Sequence, residues 1–261
     1  MTTSVAAVRE LYRFRELVAN LVSRELKVRY KRSYLGMIWT MLNPLLQMSI
    51  YTIVFSSVMR FDMRGYPVFL LSGLLPWMFM HQSVSQSVPS LLGNAGLIRK
   101  IRLPKAVFPI SVVASNLVNF GFSLAPLVLI LLVTGTPITP AFAFLPLSIL
   151  VLVMFTAGLS MLASSLTVFF RDIAHLIEVF FSLWFYLTPI IYREDVIPEQ
   201  YRMLIHYNPA RHFVAIFRGP IFEGSLPSLS SFTWALGLAT GSLLLGWAVF
   251  HWNDRRYIHY L

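Results

Sequence analysis

The sequence predicts an all-α membrane protein with six transmembrane helices. Three observations carry that prediction. Of the 261 residues, 57% are hydrophobic and only 12% are charged, about half the charged share of a soluble globular chain. The apolar residues gather into six runs, each near the roughly 20 residues a helix needs to cross a bilayer. The cations lie between those runs, as they do in multi-pass proteins.

The chain divides into an N-terminal amphipathic interface helix over 1–34 and a six-span membrane domain over 35–261. Residues 5–28 contain neither Pro nor Gly. At helical spacing Val8, Leu11, Phe14, Val18, Leu21 and Val22 share one face, while Arg9, Arg13, Glu16, Arg24 and Lys27 share the other. Arg15 and Glu25 break the pattern. Such a helix lies in the membrane interface, with Phe14 in the apolar layer and Arg9, Arg13, Arg24 and Lys27 near anionic headgroups. It serves either as a simple anchor or as a docking surface for a cytosolic partner.

The six spans are expected at about 35–59, 67–92, 107–134, 141–169, 173–192 and 229–250. Pro44, Pro76, Pro126, Pro146 and Pro189 fall inside them. Neighbouring helices can satisfy the carbonyls such prolines free, so the helices are expected to bend. In the sixth span Gly237 and Gly241 have a spacing that lets helices approach closely, within one subunit or between two. The segment 193–228 is too long and too apolar for a plain connector. IPEQYRMLIHYNP and RHFVAIFRGPIF within it read as short amphipathic helices, re-entrant from the outer surface.

Lys and Arg concentrate on cytoplasmic segments. With the N-terminus inside, 15 of the 21 cations fall on the cytoplasmic side, so both termini are cytoplasmic. The loop LIRKIRLPKAVFPI then lies inside, with Arg99, Lys100, Arg102 and Lys105 between the second and third spans. These cations act as orientation and headgroup signals, as a docking surface, or as both. Pro104 and Pro109 are expected to stop a short helix before the third span. In the second cytoplasmic turn, Asp172 is placed to favour the positive end of the fifth span's dipole.

Several functions are excluded. The sequence has no G-x-x-x-x-G-K-[ST], H-E-x-x-H or G-x-S-x-G. It has no Cys, and its six His are scattered, so no metal set is expected. The net charge of +10 flanks apolar runs and does not form one basic domain, which argues against nucleic acid. Glu178, inside the fifth span, is placed to pair with His175 or to act in function. No enzymatic chemistry is expected of this chain.

Six stretches in order, RELKVRYKRSYLGMIWTMLNPLL, FLLSGLLPWMFM, LIRKIRLPKAVFPI, VFFRDI, WFYLTPIIY and YNPARHFVAIFRGPIFEG, resemble the permease subunits of type-two ABC polysaccharide exporters. These move O-antigen, capsule or teichoic acid. The resemblance implies an inner-membrane homodimer with a channel at its interface and two separate ATPase subunits beneath. This chain would carry no cofactor; ATP and Mg would sit on the partner ATPase. The cargo would be a lipid-linked polysaccharide. The resemblance also makes 93–106 a coupling helix that meets the ATPase through Leu97, Arg99, Lys100, Arg102 and Lys105, with Arg171 and Asp172 as a smaller contact. Aromatic faces suit sugar C–H faces, which puts Trp77, Phe181, Trp184, Phe185, Tyr186 and Tyr192 along the expected path. Two rival readings are a related ABC permease for lipids or drugs and a membrane-embedded transferase.

Overall fold

The computed structural model describes residues 14–31, 33–58, 65–100, 103–254 and 256–260. Arg9, Arg13 and Arg102 lie outside them. Every regular element among the described residues is helical.

Helix α1, Arg15–Tyr30, has Glu16 in its first turn and Lys27 and Arg29 in its last, both favourable to its dipole. Its Leu21 is buried, and Phe14, Leu17 and Val18 pack against a core. A tight turn at Gly36–Ile38 leads into α2, Trp39–Thr52, which continues as a π-helical turn over Ile53–Val58. Gly65, with φ +74°, opens α3, Tyr66–Ser87, and Pro67 occupies its first turn, where no N–H is needed. The short α4, Ala95–Lys100, precedes α5, Val107–Thr134. Gly135, with φ +66°, ends α5 in the left-handed conformation that closes many helices.

A turn at Pro140–Phe144 leads into α6, Leu145–Phe169, and α7 follows over Ile173–Leu187. Helices α8, Glu199–His206, and α9, Pro209–Arg218, occupy the long 193–228 segment. Ser228 caps α10, Leu229–Asn253, by accepting from Ser231 N at 3.2 Å. The last turn is α11, Tyr257–Tyr260.

Among the described residues, four stretches are long and apolar enough to cross a membrane: Gly36–Phe55, Val107–Thr134, Pro140–Phe169 and Leu229–Asn253. The other two expected spans differ for identifiable reasons. Helix α3 has 22 residues, but its last two turns carry His81, Gln82, Ser83, Ser85, Gln86 and Ser87. It is the most enclosed element, with Val68, Leu70 and Leu71 fully buried, so protein instead of lipid surrounds much of it. Helix α7 has 15 residues and stops where Pro189 forces Thr188 into an extended conformation, with ψ 133°.

Pro109 lies inside the first turn of α5 and does not precede that helix; a first-turn residue has no intrahelical N–H partner to lose. Gly237 and Gly241 of α10 approach no other group. The close contact with α6 is made by Gly246 and Ser242 against Gly158, and Ser242 Oγ donates to the Phe155 carbonyl at 3.0 Å.

Two cores result. The larger joins α2, α3, α5, α6, α7, α9 and α10. The smaller joins α1, the 91–110 segment, the end of α6 and the C-terminal residues at one end of the molecule.

Candidate functional site

At the α1 end, the segment around α4 is fastened from several sides. Leu91 and Ile98 are buried in the smaller core, and Leu97 packs against it. Arg24 of α1 donates to Asn94 Oδ1 at 2.9 Å. Lys105 does not face outward as a docking cation would. Its side chain is buried, and its ammonium donates to Asp254 Oδ1 at 2.8 Å and to the Asp254 carbonyl at 2.6 Å. A cation so buried needs such partners. Tyr257 Oη donates to Ser165 Oγ at 2.7 Å, and burial pushes its phenol up to about 12. Arg99 and Lys100 are exposed on α4. Arg171 and Asp172 are exposed in the α6–α7 turn, where Asp172 starts α7 without a side-chain capping bond. Lys27 is exposed on α1.

At the opposite end, α7 breaks off and side chains satisfy the carbonyls that follow. Asn208 Nδ2 donates to the Leu187 carbonyl at 2.9 Å and to Thr188 Oγ1 at 3.1 Å. Arg218 Nη1 donates to the Pro189 carbonyl at 2.7 Å, and its Nη2 donates to that of Ile190 at 3.0 Å. Tyr66 Oη donates to the Ile191 carbonyl at 2.9 Å. The guanidinium lies 3.7 Å from the Phe69 ring centroid, a cation–π contact. Gly73 gives it room: a Cβ there would stand 2.9 Å from Arg218 Nη2. Asn208 also caps α9, accepting from Ala210 N at 3.0 Å, and takes the Trp184 indole N–H at 2.7 Å. Arg211 holds Glu194 through two parallel bonds of 2.7 and 2.8 Å.

Of the six aromatic residues expected along a sugar path, four are inside the subunit. Trp77, Phe181, Trp184 and Phe185 are buried. Trp77 meets the other three at centroid distances of 5.6, 5.5 and 5.7 Å, so these rings spend their faces on one another. The cause is helical phase. At α7's spacing Phe181, Trp184 and Phe185 form the stripe against α3. Tyr186 is exposed, beside exposed Leu183 and Leu187. Tyr192 is half-buried and donates to the Tyr186 carbonyl at 2.8 Å. Glu178 pairs with His81 of α3 at 3.2 Å, not with His175.

Sequence reasoning missed Arg218, Asn208 and Gly73, whose roles rest on contacts across elements far apart in sequence. It also missed a polar pocket of about 340 Å³ between α1, α2, α3 and α5. Its signal was present: Asn116 and Asn119 interrupt an apolar run, and polar residues at membrane depth are costly unless used. Among the described residues no cluster of three or more His, Asp or Glu is placed to hold a metal ion.

The ABC-2 type transporter family matches residues 16–222. An O-antigen export system permease protein RfbA of Myxococcus xanthus is 36% identical over 247 residues, covering 94% of each chain. A protein of the same name from Klebsiella pneumoniae is 37% identical over 81% of this chain and 82% of its own. The polysialic acid transport protein KpsM of Escherichia coli is 24% identical over 91% of this chain and 93% of its own. With the apolar helices and the family match in agreement, the chain is a multi-pass membrane protein that belongs to the ABC-2 type transporter family.

Proposed function

We propose that the chain is the transmembrane subunit of an ATP-driven exporter that carries a lipid-linked polysaccharide across the cytoplasmic membrane. The observation that carries this reading is the match to an O-antigen export permease along 94% of both chains. Two copies enclose the channel, and two separate ATPase chains, which bind ATP and Mg, supply the energy. The absence of a P-loop in this sequence agrees with that division. Both termini are cytoplasmic, and α3 and α7 complete six spans with the four longer helices. Helices α8 and α9 re-enter the outer leaflet and shape the exit.

In this reading α4 presents Arg99 and Lys100 to the ATPase while Leu97 and Ile98 hold it to the body. Lys105 positions the segment through Asp254 and makes no docking contact. Because α4 shares a core with α1, the end of α6 and α11, a push on α4 reaches several spans at once. For the sugar, Tyr186 and Tyr192 are the rings left to stack on cargo, and the buried four support them.

The test is to coexpress the chain with its cognate ATPase and reverse α4 with R99E/K100E. Normal folding and membrane insertion are expected, with loss of the copurified ATPase and of export. A complex that still forms and still exports would remove α4 from the coupling role.

A further inference from the structure

The pocket between α1, α2, α3 and α5 has an unusual inventory. Its polar lining comes from all four helices, including Arg29 and Tyr30, Asn43, Gln82 and Gln86, and Asn119, and no Asp or Glu lines it. Arg29 Nη1 donates to Asn116 Oδ1 at 2.8 Å, and its Nη2 donates to Gln86 Oε1. Asn116 Nδ2 also donates to Gln86 Oε1, at 3.0 Å. Tyr30 Oη donates to Asn119 Oδ1 at 2.8 Å. The amide oxygens of Gln86, Asn116 and Asn119 are thus taken up from within, which favours donors on this part of the wall.

One donor shows this directly. Asn119 is 4% exposed, and its Nδ2 has no partner. A buried N–H left unmatched costs about 1–3 kcal/mol. Arg29 adds a fixed positive charge and has three further guanidinium N–H groups beyond the two described. The wall is also amphiphilic, since Trp39, Leu75, Met78, Phe79 and Phe120 line its apolar side. Asn119 stands 12 residues into α5, about 18 Å along that helix, so the pocket reaches well into the bundle from the α1 end.

We infer that this pocket binds the phosphate group of a phosphorylated amphiphile, with Arg29 and the Asn119 amide as donors to its oxyanion. An acceptor-rich, anionic ligand answers the unmatched Asn119 amide and the Arg29 charge together, and the apolar wall suits the chain or ring attached to it. The inference rests on the reading that the chain spans a bilayer. It does not depend on which polymer is exported, and a binding assay tests it apart from export.

The experiment uses the full chain in neutral detergent, with binding followed by native mass spectrometry. Three probes are compared: dioleoyl phosphatidic acid, dioleoylglycerol without phosphate, and inorganic pyrophosphate. Retention of phosphatidic acid and none of dioleoylglycerol is expected. If pyrophosphate displaces the lipid, phosphate contacts alone hold the ligand; if it does not, the site requires the lipid-borne form. Both results keep the phosphate assignment. R29Q is expected to weaken retention about tenfold and N119L several-fold, as loss of a charge-assisted and a neutral donor would do. R202Q, on exposed α8 and outside the pocket lining, is expected to stay within about twofold of wild type. Should R29Q fail to fold, N119L and the wild-type probe comparison carry the test. Equal retention of dioleoylglycerol, wild-type binding by both R29Q and N119L, or an equal loss in R202Q would overturn the assignment.

Discussion

Arg218 shows how much one side chain can settle. Its two terminal nitrogens occupy the Pro189 and Ile190 carbonyls, which the break after α7 would otherwise leave bare in an apolar interior. Replacing it with Met is expected to cost about 2–6 kcal/mol, since each stranded buried carbonyl costs about 1–3. R218K should recover only part of that, because an ammonium cannot reproduce the planar fork. The readout is the thermal midpoint in detergent. His212 offers a test with pH. Its ring is buried against Trp234, 5.8 Å between centroids, and Nδ1 has no partner. Burial, then the Arg211 guanidinium and His206, push its pKa below the ordinary 6.5, with Glu194 opposing. The unfolded chain therefore binds the extra proton first, so this part of the stability is intact above pH 6.5 and lost as pH falls below it. By pH 5.5 wild type is expected to have lost part of this stability, and H212F should lose less over the same interval.

At the scale of elements, the pairing of α6 with α10 depends on small residues at one crossing. A Cβ on Gly158 would overlap the backbone of Ser242, and one on Gly246 the backbone of Gly158. Backbone cannot yield as a side-chain tip can, so G158V is expected to abolish the folded protein. G237A should fold normally, since nothing lies within 4 Å of a Cβ there. Comparison of monodisperse yield after membrane extraction checks both. Helix α7 divides its aromatics the same way, by face. W184A should lower the thermal midpoint, because it removes a buried ring and leaves Asn208 Oδ1 with one partner fewer. Y186A should leave the midpoint unchanged and reduce export, if the outward face of α7 meets cargo.

For the whole molecule, the telling feature is that remote parts of the chain meet at one end. Helix α1, the 91–110 segment, the end of α6 and the C-terminal turn share the smaller core. Arg24–Asn94, Lys105–Asp254 and Tyr257–Ser165 bind them further. This end is expected to move as one body. The sequence has no Cys, so a pair introduced at Arg24 and Asn94 and joined by a short bifunctional thiol reagent gives a clean test. Cross-linked protein should keep its ATPase-driven export, and loss of export on cross-linking would show that α1 and the α4 segment must separate. D254A is expected to loosen the same end more than K105M, because D254A leaves a buried ammonium with the residue-254 carbonyl but no counter-charge, while K105M leaves behind an acid that is 45% exposed.

By itself the sequence determined the all-helical membrane class, the places where cations gather and the positions of most helices. These follow from local properties: apolar run length, the spacing of polar residues, and Gly or Pro at helix ends. The run at 107–134 became α5 over the same residues. Only the tertiary structure decided which side of each helix faces inward and which partner each polar group finds. Both Trp184 and Tyr186 sit in an apolar run, yet one is enclosed and the other exposed. Lys105 and Arg99 sit in one basic segment, yet Lys105 is buried against Asp254, 149 residues away. The energy of a buried charge, an orphan carbonyl or a backbone contact depends on atoms that are distant in sequence, and no local pattern encodes them.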